Sequence, residues 1–370
     1  MDFTPTEAQQ DLENLTRSIA EKLTTNDRLR ELDSAEDRFD DKLWHALADA
    51  GVLAAALPES VGGGGFGILE QCTVLREIGR TVSPVPYLGS IVLAASALAE
   101  FGDETQRQLA RRAGDGTAIL TVALAEELNL DPAQPVTRAD RRGDGWVITG
   151  TKITVPAAAF ADAILVPATT VEGVAVFVVD PSAAGVQIER QSTTDFSAES
   201  IVDLSGVVAT GVLGGVERGP EIVRWILDRA SVGLSAQQLG TLERALELVA
   251  EYARERVQFD RPIGSFQAVA QRLADAFIDV RGVRSTLWQA AWRLSENLPA
   301  ETEIRTAKFW AADAGHRVAH TVIHVHGGVG LDRDHPVHRY FLAAKHNEFA
   351  LGSATEQLRR LGQALADVPA

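Results

Sequence analysis

The spacing of hydrophobic residues changes twice along the chain. Between Thr4 and about Arg112, apolar residues such as those from Leu12 to Leu23 recur every three or four positions, as on one face of a helix. From Ala118 to Leu213 the period is two, and β-branched runs are separated by Gly, Pro and Asp turns. Helical spacing returns after Gly219-Pro220. Proline is well suited to the first turn of a helix, so a helix is predicted to begin here. The pattern therefore predicts helices, then a β domain, then helices.

Five strands are predicted in the middle segment: Trp146 to Val155, Ala163 to Pro167, Val174 to Asp180, Gly185 to Ser192 and Ile201 to Ala209. Gly143-Asp-Gly145 lies just before the first of them and predicts a hairpin turn.

Two segments of the first third differ from amphipathic helices. Tyr87 to Phe101 carries one charged residue and predicts a short buried helix, because prolines and glycine nearby argue against a membrane span. The loop from Pro58 to Gly67 contains five glycines, so it predicts either a flexible connector or a backbone that approaches another group closely.

The last segment predicts four long helices in a bundle. The second of them carries one apolar stripe, which is expected to pack in the core. Its members are Phe266, Val269, Leu273, Phe277, Val280, Val283 and Leu287. The predicted fold class is α+β, mainly α, with an N-terminal helical domain at 1–117, a small β domain at 118–215 and a helical bundle at 216–370.

Composition narrows the range of partners. The formal charge of −16 over 370 residues, without a basic stripe, argues against nucleic acid or an anionic membrane as partner. The single cysteine, Cys72, excludes an intramolecular disulfide framework and fits a reducing compartment. With no signal peptide at the start of the sequence, the predicted location is the cytoplasm.

Histidines are concentrated near the C-terminus, and His316, His320 and His324 share one helical face at i, i+4 and i+8. That spacing suggests zinc. No cysteine is near, however, and the neighbouring aspartates lack a metal-ligand spacing, so no metal site is predicted. Histidines that line a subunit contact or a cofactor edge are the preferred interpretation.

Two motifs carry candidate chemistry. The segment from Arg256 to Gln267 reads Arg-Val-Gln-Phe-Asp-Arg-Pro-Ile-Gly-Ser-Phe-Gln, and His326-Gly-Gly-Val-Gly330 follows some sixty residues later. Glycines at the end of a helix allow backbone N–H groups to face a phosphate, although they are equally a helix C-cap. A guanidinium suits diphosphate because its planar fork donates to two oxygens.

These motifs resemble the flavin-diphosphate half of the acyl-CoA dehydrogenase family, and the resemblance covers nearly the full length. It implies the acyl-CoA dehydrogenase fold and an FAD whose adenosine and diphosphate part is bound mainly by the neighbouring subunit. The residues that it places at this cofactor are Arg256, Phe259, Gln267, His324, Gly327 and Gly328. Asp260 stands where the family usually has glycine. His324 stands where the family often has glutamine.

The residues that would perform the family's reaction are missing. The reaction removes an α-proton from an acyl-CoA thioester and passes the β-hydride to flavin, so it needs a carboxylate base. The family's usual Glu-Gly-Thr reads Leu351-Gly352-Ser353 here, and leucine cannot take a proton. A second family position for the base, on the first long helix, reads Asp228-Arg229, with a carboxylate one methylene shorter than glutamate. No catalytic residue is predicted in this chain.

The family's flavin-ring contacts are also changed. The resemblance aligns Ala123-Leu-Ala-Glu-Glu127 with an Ala-Leu-Thr-Glu-Pro motif, and Thr154-Val-Pro156 with a Trp-Ile-Thr motif, while the family's Gly-Ser-Asp is absent. Proline cannot donate a backbone hydrogen bond to a flavin. The chain keeps parts that serve a neighbour's cofactor and lacks those that would serve its own.

This division predicts a subunit that shares FAD with a homologous catalytic partner. The chain resembles the base-deficient subunits of actinobacterial α2β2 acyl-CoA dehydrogenases that act on steroid side-chain CoA thioesters. The resemblance implies an acyl-CoA substrate, a partner that supplies the base, and an electron-transfer flavoprotein type of acceptor. Two alternatives stay open: a self-sufficient homotetrameric dehydrogenase that uses Asp228, and a non-enzymatic scaffold subunit.

Overall fold

The structure is a computed structural model that describes residues 4–366. The chain forms two compact units. Met1–Arg28, Gln71–Ser83 and Ser231–Ala370 make a helical unit, whereas Leu29–Glu70 and Pro84–Ala230 make a unit that contains the main sheet. The predicted α+β class, mainly α, with helices before and after a sheet, is confirmed.

Seven helices precede the sheet along the described chain: α1 Glu7–Leu23, α2 Asn26–Leu32, α3 Asp41–Asp49, α4 Val52–Ala55, α5 Ile68–Thr81, α6 Ser96–Phe101 and α7 Glu104–Gly114. A π-helical segment, Leu88–Ala95, runs directly into α6, and the two are largely buried, so the predicted buried helix is confirmed. No helix of residues 4–366 is long and apolar enough to cross a membrane.

The glycine-rich loop after α4 folds against the chain before it. A Cβ on Gly63 would lie 2.1 Å from the carbonyl oxygen of Leu57, and one on Gly64 would lie 2.7 Å from that of Ala55. Such distances exclude any side chain. Of the two interpretations of this loop, the close approach of backbone to backbone is the one that the structure shows.

The sheet contains eight strands: β1 Leu120–Val122, β2 Arg138–Arg142, β3 Gly145–Pro156, β4 Ala163–Thr170, β5 Gly173–Val179, β6 Val186–Gln191, β7 Glu199–Val208 and β8 Gly211–Val212. Their order is β6-β7-β3-β2-β4-β5-β8, and β1 pairs with β4 in parallel. All five predicted strands are present. The prediction omitted β1 and β8, which are short, and β2, whose sequence Arg-Ala-Asp-Arg-Arg lacks an apolar period.

The hairpin between β2 and β3 has the two-residue connection Gly143-Asp144. Arg142 pairs with Gly145, and Gly143 has φ of 59°, in the left-handed region that such turns require. The predicted turn is confirmed.

After the sheet come five helices and a small hairpin: α8 Gly219–Glu255, β9 Val257–Gln258, β10 Arg261–Pro262, α9 Gln267–Ser295, α10 Glu301–His326, α11 Val337–Phe349 and α12 Ala354–Ala366. The sequence pattern predicts four long helices. Three are long, with 37, 29 and 26 residues, and the remaining segment divides into two helices of 13 residues each.

The apolar stripe of α9 is buried only in part. Val280, Val283 and Leu287 lie in the core, whereas Phe277 is 52% exposed and its neighbour Ile278 is 64% exposed. The sequence predicts that nearly all of the stripe packs in the core, but Phe277 is exposed, and Phe266, Val269 and Leu273 are only partly buried because the described chain covers the first half of the helix incompletely.

Helices α5 and α8 approach each other closely in the helical unit. A Cβ on Gly240 would lie 1.8 Å from the carbonyl oxygen of Arg76. One turn further along α8, the buried carboxylate of Glu243 accepts a hydrogen bond of 2.7 Å from Arg76 and another from Arg284 of α9. This contact fixes α8 and α9, from whose ends the candidate site is built.

Candidate functional site

The hairpin between α8 and α9 begins at Arg256. The Arg256 N–H donates to the carbonyl of Tyr252, and the Arg256 carbonyl accepts from the N–H of Ile263, both at 2.8 Å. At the tip, Phe259 and Asp260 have φ of 54° and 62°, as a two-residue hairpin requires. Aspartate tolerates this conformation, so Asp260 can stand where the resemblance expects glycine. The Phe259 ring is 86% exposed.

Gln267 is the first residue of α9 and is exposed. The residue before it, Phe266, is extended, and its ring packs under the Arg261 guanidinium, 4.1 Å from the ring centroid. Within residues 4–366, no side chain caps this helix start. The first N–H groups of a helix have no partner inside it and favour anions, so this end of α9 can bind phosphate.

The Gly327-Gly328 pair follows the last residue of α10, as predicted. Gly327 has φ of 61° and ψ of −136°, a conformation that only glycine adopts readily. Both glycines are exposed, and a Cβ on either would meet nothing within 4 Å in the described chain. The Gly327 N–H caps α10 by donating to the carbonyls of His324 and Ile323, so the pair is the helix C-cap that its sequence also allowed. The surface of both glycines still leaves room for a ligand as large as a diphosphate.

Tyr252 brings these parts together. It lies one turn before Arg256, and its ring stacks on His326, the residue before Gly327, with centroids 4.5 Å apart. Its hydroxyl donates to the His326 carbonyl at 3.5 Å. The ends of α8 and α10 are thus neighbours, and Arg256 and Gly327 emerge from adjoining positions.

The polar side chains at this end of the unit are not used by the fold. Arg256, Gln267 and His324 are exposed, and within residues 4–366 their side chains make no hydrogen bond or ion pair. A guanidinium, a carboxamide and an imidazole are therefore available to a molecule outside this chain.

The loop at which the resemblance expects the base has a different character. Leu351 lies between α11 and α12 with φ of 60°. The buried amine of Lys308 donates to the carbonyls of Asn347, Glu348 and Gly352 at 3.1, 3.3 and 3.2 Å. Burial lowers the pKa of Lys308 to about 7, although Glu348 opposes this. The loop is firmly held, but its central side chain is aliphatic.

In the β domain, the donors expected at a flavin ring are occupied or absent. The Thr154 N–H, at a bulge of β3 where φ is 47°, donates to the Gln191 side chain at 2.7 Å. Pro156 has no N–H, and its carbonyl accepts from the Thr121 hydroxyl at 2.6 Å. These contacts satisfy the strand within the chain.

A buried ion pair lies beside this strand. The Lys152 amine, which is fully buried, donates to Glu126 at 2.8 Å. Burial alone would raise the pKa of Glu126, but hydrogen bonds from Lys152 and from Thr137 outweigh it and hold that pKa at about 2. Glu126 is therefore an ionised structural group and not a proton acceptor.

Asp228 lies in the first third of α8, is partly buried and is engaged by neighbouring groups. His316 and His320 do share a face of α10, with ring centroids 4.4 Å apart. The His316 ring contacts the Glu348 carboxylate at 3.3 Å. No group of three His, Cys, Asp or Glu in the described part of the chain could hold a metal ion.

Three domain families match consecutive parts of the chain. Residues 6–110 match the acyl-CoA dehydrogenase N-terminal domain, 123–205 the middle domain and 217–366 the C-terminal domain. The chain belongs to the acyl-CoA dehydrogenase family. It is 52% identical to acyl-CoA dehydrogenase FadE27 of Mycobacterium tuberculosis, over all of both chains, and 32% identical to FadE28 of that organism, over 98% of each.

Solved structures of the acyl-CoA dehydrogenase family agree with this assignment. A chain of the ChsE4-ChsE5 complex from Mycobacterium tuberculosis superimposes with a TM-score of 0.96 at 52% identity, with full coverage of both chains. A chain from a variant of the Tcur3481-Tcur3483 steroid ACAD superimposes with a TM-score of 0.93 at 42% identity and 98% coverage of each chain.

Sequence reasoning missed three residues near the site. Lys308 holds the loop of Leu351, Gln191 accepts from the Thr154 N–H, and His326 packs below Gly327. The run of histidines before Gly327 was a signal for His326. Lys308 and Gln191 gave none, because a lysine in a helix and a glutamine in a strand usually face water.

Proposed function

We propose that this chain is one subunit of a heteromeric, FAD-dependent acyl-CoA dehydrogenase and that it completes the cofactor site of a homologous catalytic partner. The observation that carries the proposal is a difference between the residues expected at the diphosphate and those expected at the flavin ring: the first are available to a ligand and the second are not. Among residues 4–366, the polar side chains of the diphosphate half make no hydrogen bond or ion pair, whereas the backbone of the ring half is engaged by the chain's own contacts.

The residues that would hold the diphosphate fit that group. The Arg256 guanidinium, the open start of α9 at Gln267 and the exposed backbone of Gly327-Gly328 all favour an anion. Phe259 and His324 offer exposed rings at the same end of the unit. When bound, FAD supplies the acceptor for the β-hydride, and this chain's residues bind and orient its adenosine and diphosphate end.

The ring half does not fit a second FAD. A ring placed at β3 would find the Thr154 N–H already donated and no N–H at Pro156. Leu351 cannot remove the α-proton, so the partner supplies the carboxylate. An α2β2 tetramer with two active sites follows from this division.

The uncovered half of α9 supports a partner on that side. Phe277 and Ile278 are more than half exposed on the helix that begins at Gln267, the same helix that carries the cofactor residue. Exposed apolar side chains that continue a buried stripe are typical of a subunit contact. A partner that lies along this face would bring its FAD to Gln267.

The two similar complexes support both the partner and the substrate class. The solved ChsE4-ChsE5 and Tcur3481-Tcur3483 structures each contain two differently named chains, and the second is a steroid acyl-CoA dehydrogenase. We propose the same substrate class here, a steroid side-chain CoA thioester, with an electron-transfer flavoprotein as acceptor. The domain limits at 117 and 215 remain predictions.

Co-expression with a homologue that carries the family's glutamate tests the proposal. The expected product is a tetramer with two chains of each kind and one FAD for each pair. Arg256→Ala should lower FAD affinity about tenfold or more, because a charge-assisted hydrogen bond is lost. Arg254→Ala is the matched control, since Arg254 is exposed two residues earlier on α8 and should leave FAD content unchanged.

The alternatives give different results. This chain alone could form a yellow homotetramer whose turnover Asp228→Asn abolishes. That result would refute the proposal and show a homotetrameric dehydrogenase that needs no partner. A complex without flavin would favour a scaffold. Leu351→Glu in the chain alone should yield no dehydrogenase, because the base position is restored while the ring half stays closed.

A further inference from the structure

His326 is the last residue of α10 and lies directly below the Gly327-Gly328 loop. It is 3% exposed, and its ring is enclosed by Tyr252 of α8 at 4.5 Å and by His335 at 5.2 Å between centroids. A Cβ on Gly330, in the same loop, would lie 3.2 Å from the Cβ of His326. The loop therefore rests on this side chain.

The two nitrogens of the His326 ring differ in their contacts. Nδ1 lies 2.8 Å from the Val322 carbonyl, so it carries a proton and donates there. Nε2 is buried and has no hydrogen-bond partner among residues 4–366. A buried polar atom without a partner calls for an explanation, because it has given up its hydrogen bonds to water and gained none in the protein.

Among residues 4–366, none of the groups that face His326 accepts a hydrogen bond from its Nε2. Tyr252 uses its hydroxyl to donate to the His326 carbonyl. His335 accepts the Val337 N–H at Nδ1, so its neutral ring carries a proton at Nε2. Further out, His338 of α11 donates to the His335 carbonyl at 2.6 Å, and Asp332 acts on His335 through its charge.

We propose that His326 is a positioning residue for the diphosphate loop, and that only its neutral, stacked ring holds Gly327-Gly328 in the form that binds the cofactor. This rests on the proposed function for the identity of the ligand. A proton on Nε2 would place a buried cation against His335 with no acceptor, and the ring can then reach water only by leaving the stack and opening the loop.

The direction of the pH effect follows from burial. Burial lowers the pKa of His326, with a further contribution from His335, although the bond to Val322 opposes both. The folded state therefore resists protonation more than the unfolded state does. The stabilisation of the Gly327-Gly328 loop by the neutral His326 ring is therefore fully present above the ordinary histidine pKa and is lost as pH falls below it.

The test follows FAD release from the co-expressed complex by flavin fluorescence between about pH 7.5 and about pH 5.5. Wild type should release FAD about fivefold faster at the lower pH. His326→Phe keeps the stack on Tyr252 but removes the titrating group, so its release rate should rise less than that of wild type as pH falls. His326→Asn keeps a donor for Val322 and should also flatten the profile, which guards against a folding failure of the first variant.

His45→Gln, on the exposed face of α3, is the matched control and should keep the wild-type profile. Arg256→Ala should speed release at every pH and preserve the slope. Parallel profiles for wild type and His326→Phe, or tighter binding of FAD at low pH, would overturn the inference. If the complex carries no FAD, the proposed function fails, and urea unfolding of the chain across the same pH range then decides whether His326→Phe removes the loss of stability at low pH.

Discussion

Replacing Lys308 by methionine removes a buried amine and keeps most of the side-chain volume. The Nζ atom donates to two carbonyls in the last turn of α11 and to that of Gly352 in the loop after it, and the side chain is fully buried. Gly352 keeps a weak bond from Gln357 at 3.4 Å. The carbonyls of Asn347 and Glu348 lose this donor. At about 1 to 3 kcal/mol for each of these two buried groups left unpaired, the variant should lose about 2 to 6 kcal/mol of unfolding free energy at about pH 9.

The loss should depend on pH in a defined direction. Burial lowers the pKa of Lys308 to about 7 from an ordinary 10.5, so between these values the unfolded chain holds a proton that the folded chain lacks. Stability from this group therefore rises as pH rises from about 7, by at most about 1.4 kcal/mol per pH unit. The difference between wild type and Lys308→Met should be smallest near neutral pH and grow toward pH 10.

Urea unfolding followed by circular dichroism at several pH values measures this difference. Lys42→Met is the matched control, because Lys42 is exposed on α3 and should give a change within about 0.5 kcal/mol at every pH. Equal unfolding midpoints for wild type and Lys308→Met at alkaline pH, with parallel pH dependence, would show that the three carbonyls do not need the amine.

Three further changes test the packing and the buried charges. Gly240→Ala places a Cβ against the Arg76 carbonyl and should lower the melting temperature sharply, whereas Gly362→Ala, on the open side of α12, should be neutral or stabilising by up to about 1 kcal/mol. Glu243→Gln leaves three arginines, Arg76, Arg80 and Arg284, facing a neutral amide and should cost about 3 kcal/mol or more in urea unfolding. Glu126→Gln should likewise destabilise the chain at neutral pH, with a difference from wild type that fades as pH falls through about 4 toward 2, as the carboxylate of the wild type is protonated.

Local pattern was enough to predict most of the fold. The alternation of β-branched residues located β3 to β7, and the proline after Gly219 located the start of α8. The polar strand β2 was missed because it is identified by its pairing with β3, and pairing between strands is not written in the local period. Turn chemistry at Gly143-Asp144 indicated that a partner strand exists without identifying its residues.

The stripe of α9 shows where hydrophobic period stops being informative. Phe277 and Leu287 occupy the same stripe, yet Leu287 is fully buried and Phe277 is half exposed. Burial within a chain and burial between chains favour the same residues, so the period alone cannot separate them. Only coordinates reveal which half of the helix the chain itself covers.

The two halves of the candidate site also differ in how far sequence could predict them. Arg256, Gln267 and Gly327 are exposed at helix ends, and within residues 4–366 the side chains of Arg256 and Gln267 make no hydrogen bond or ion pair. Such residues can be altered at little cost in stability, so their presence as a spaced motif points to a ligand. The ring half is built on β3, where any backbone donor that no flavin accepts must find another partner. Gln191 accepts from the Thr154 N–H, and Thr121 donates to the Pro156 carbonyl. No sequence motif predicts either contact. The proposed loss of the ring half and retention of the diphosphate half are therefore compatible in one stable chain, which is the condition that a cofactor-sharing subunit must meet.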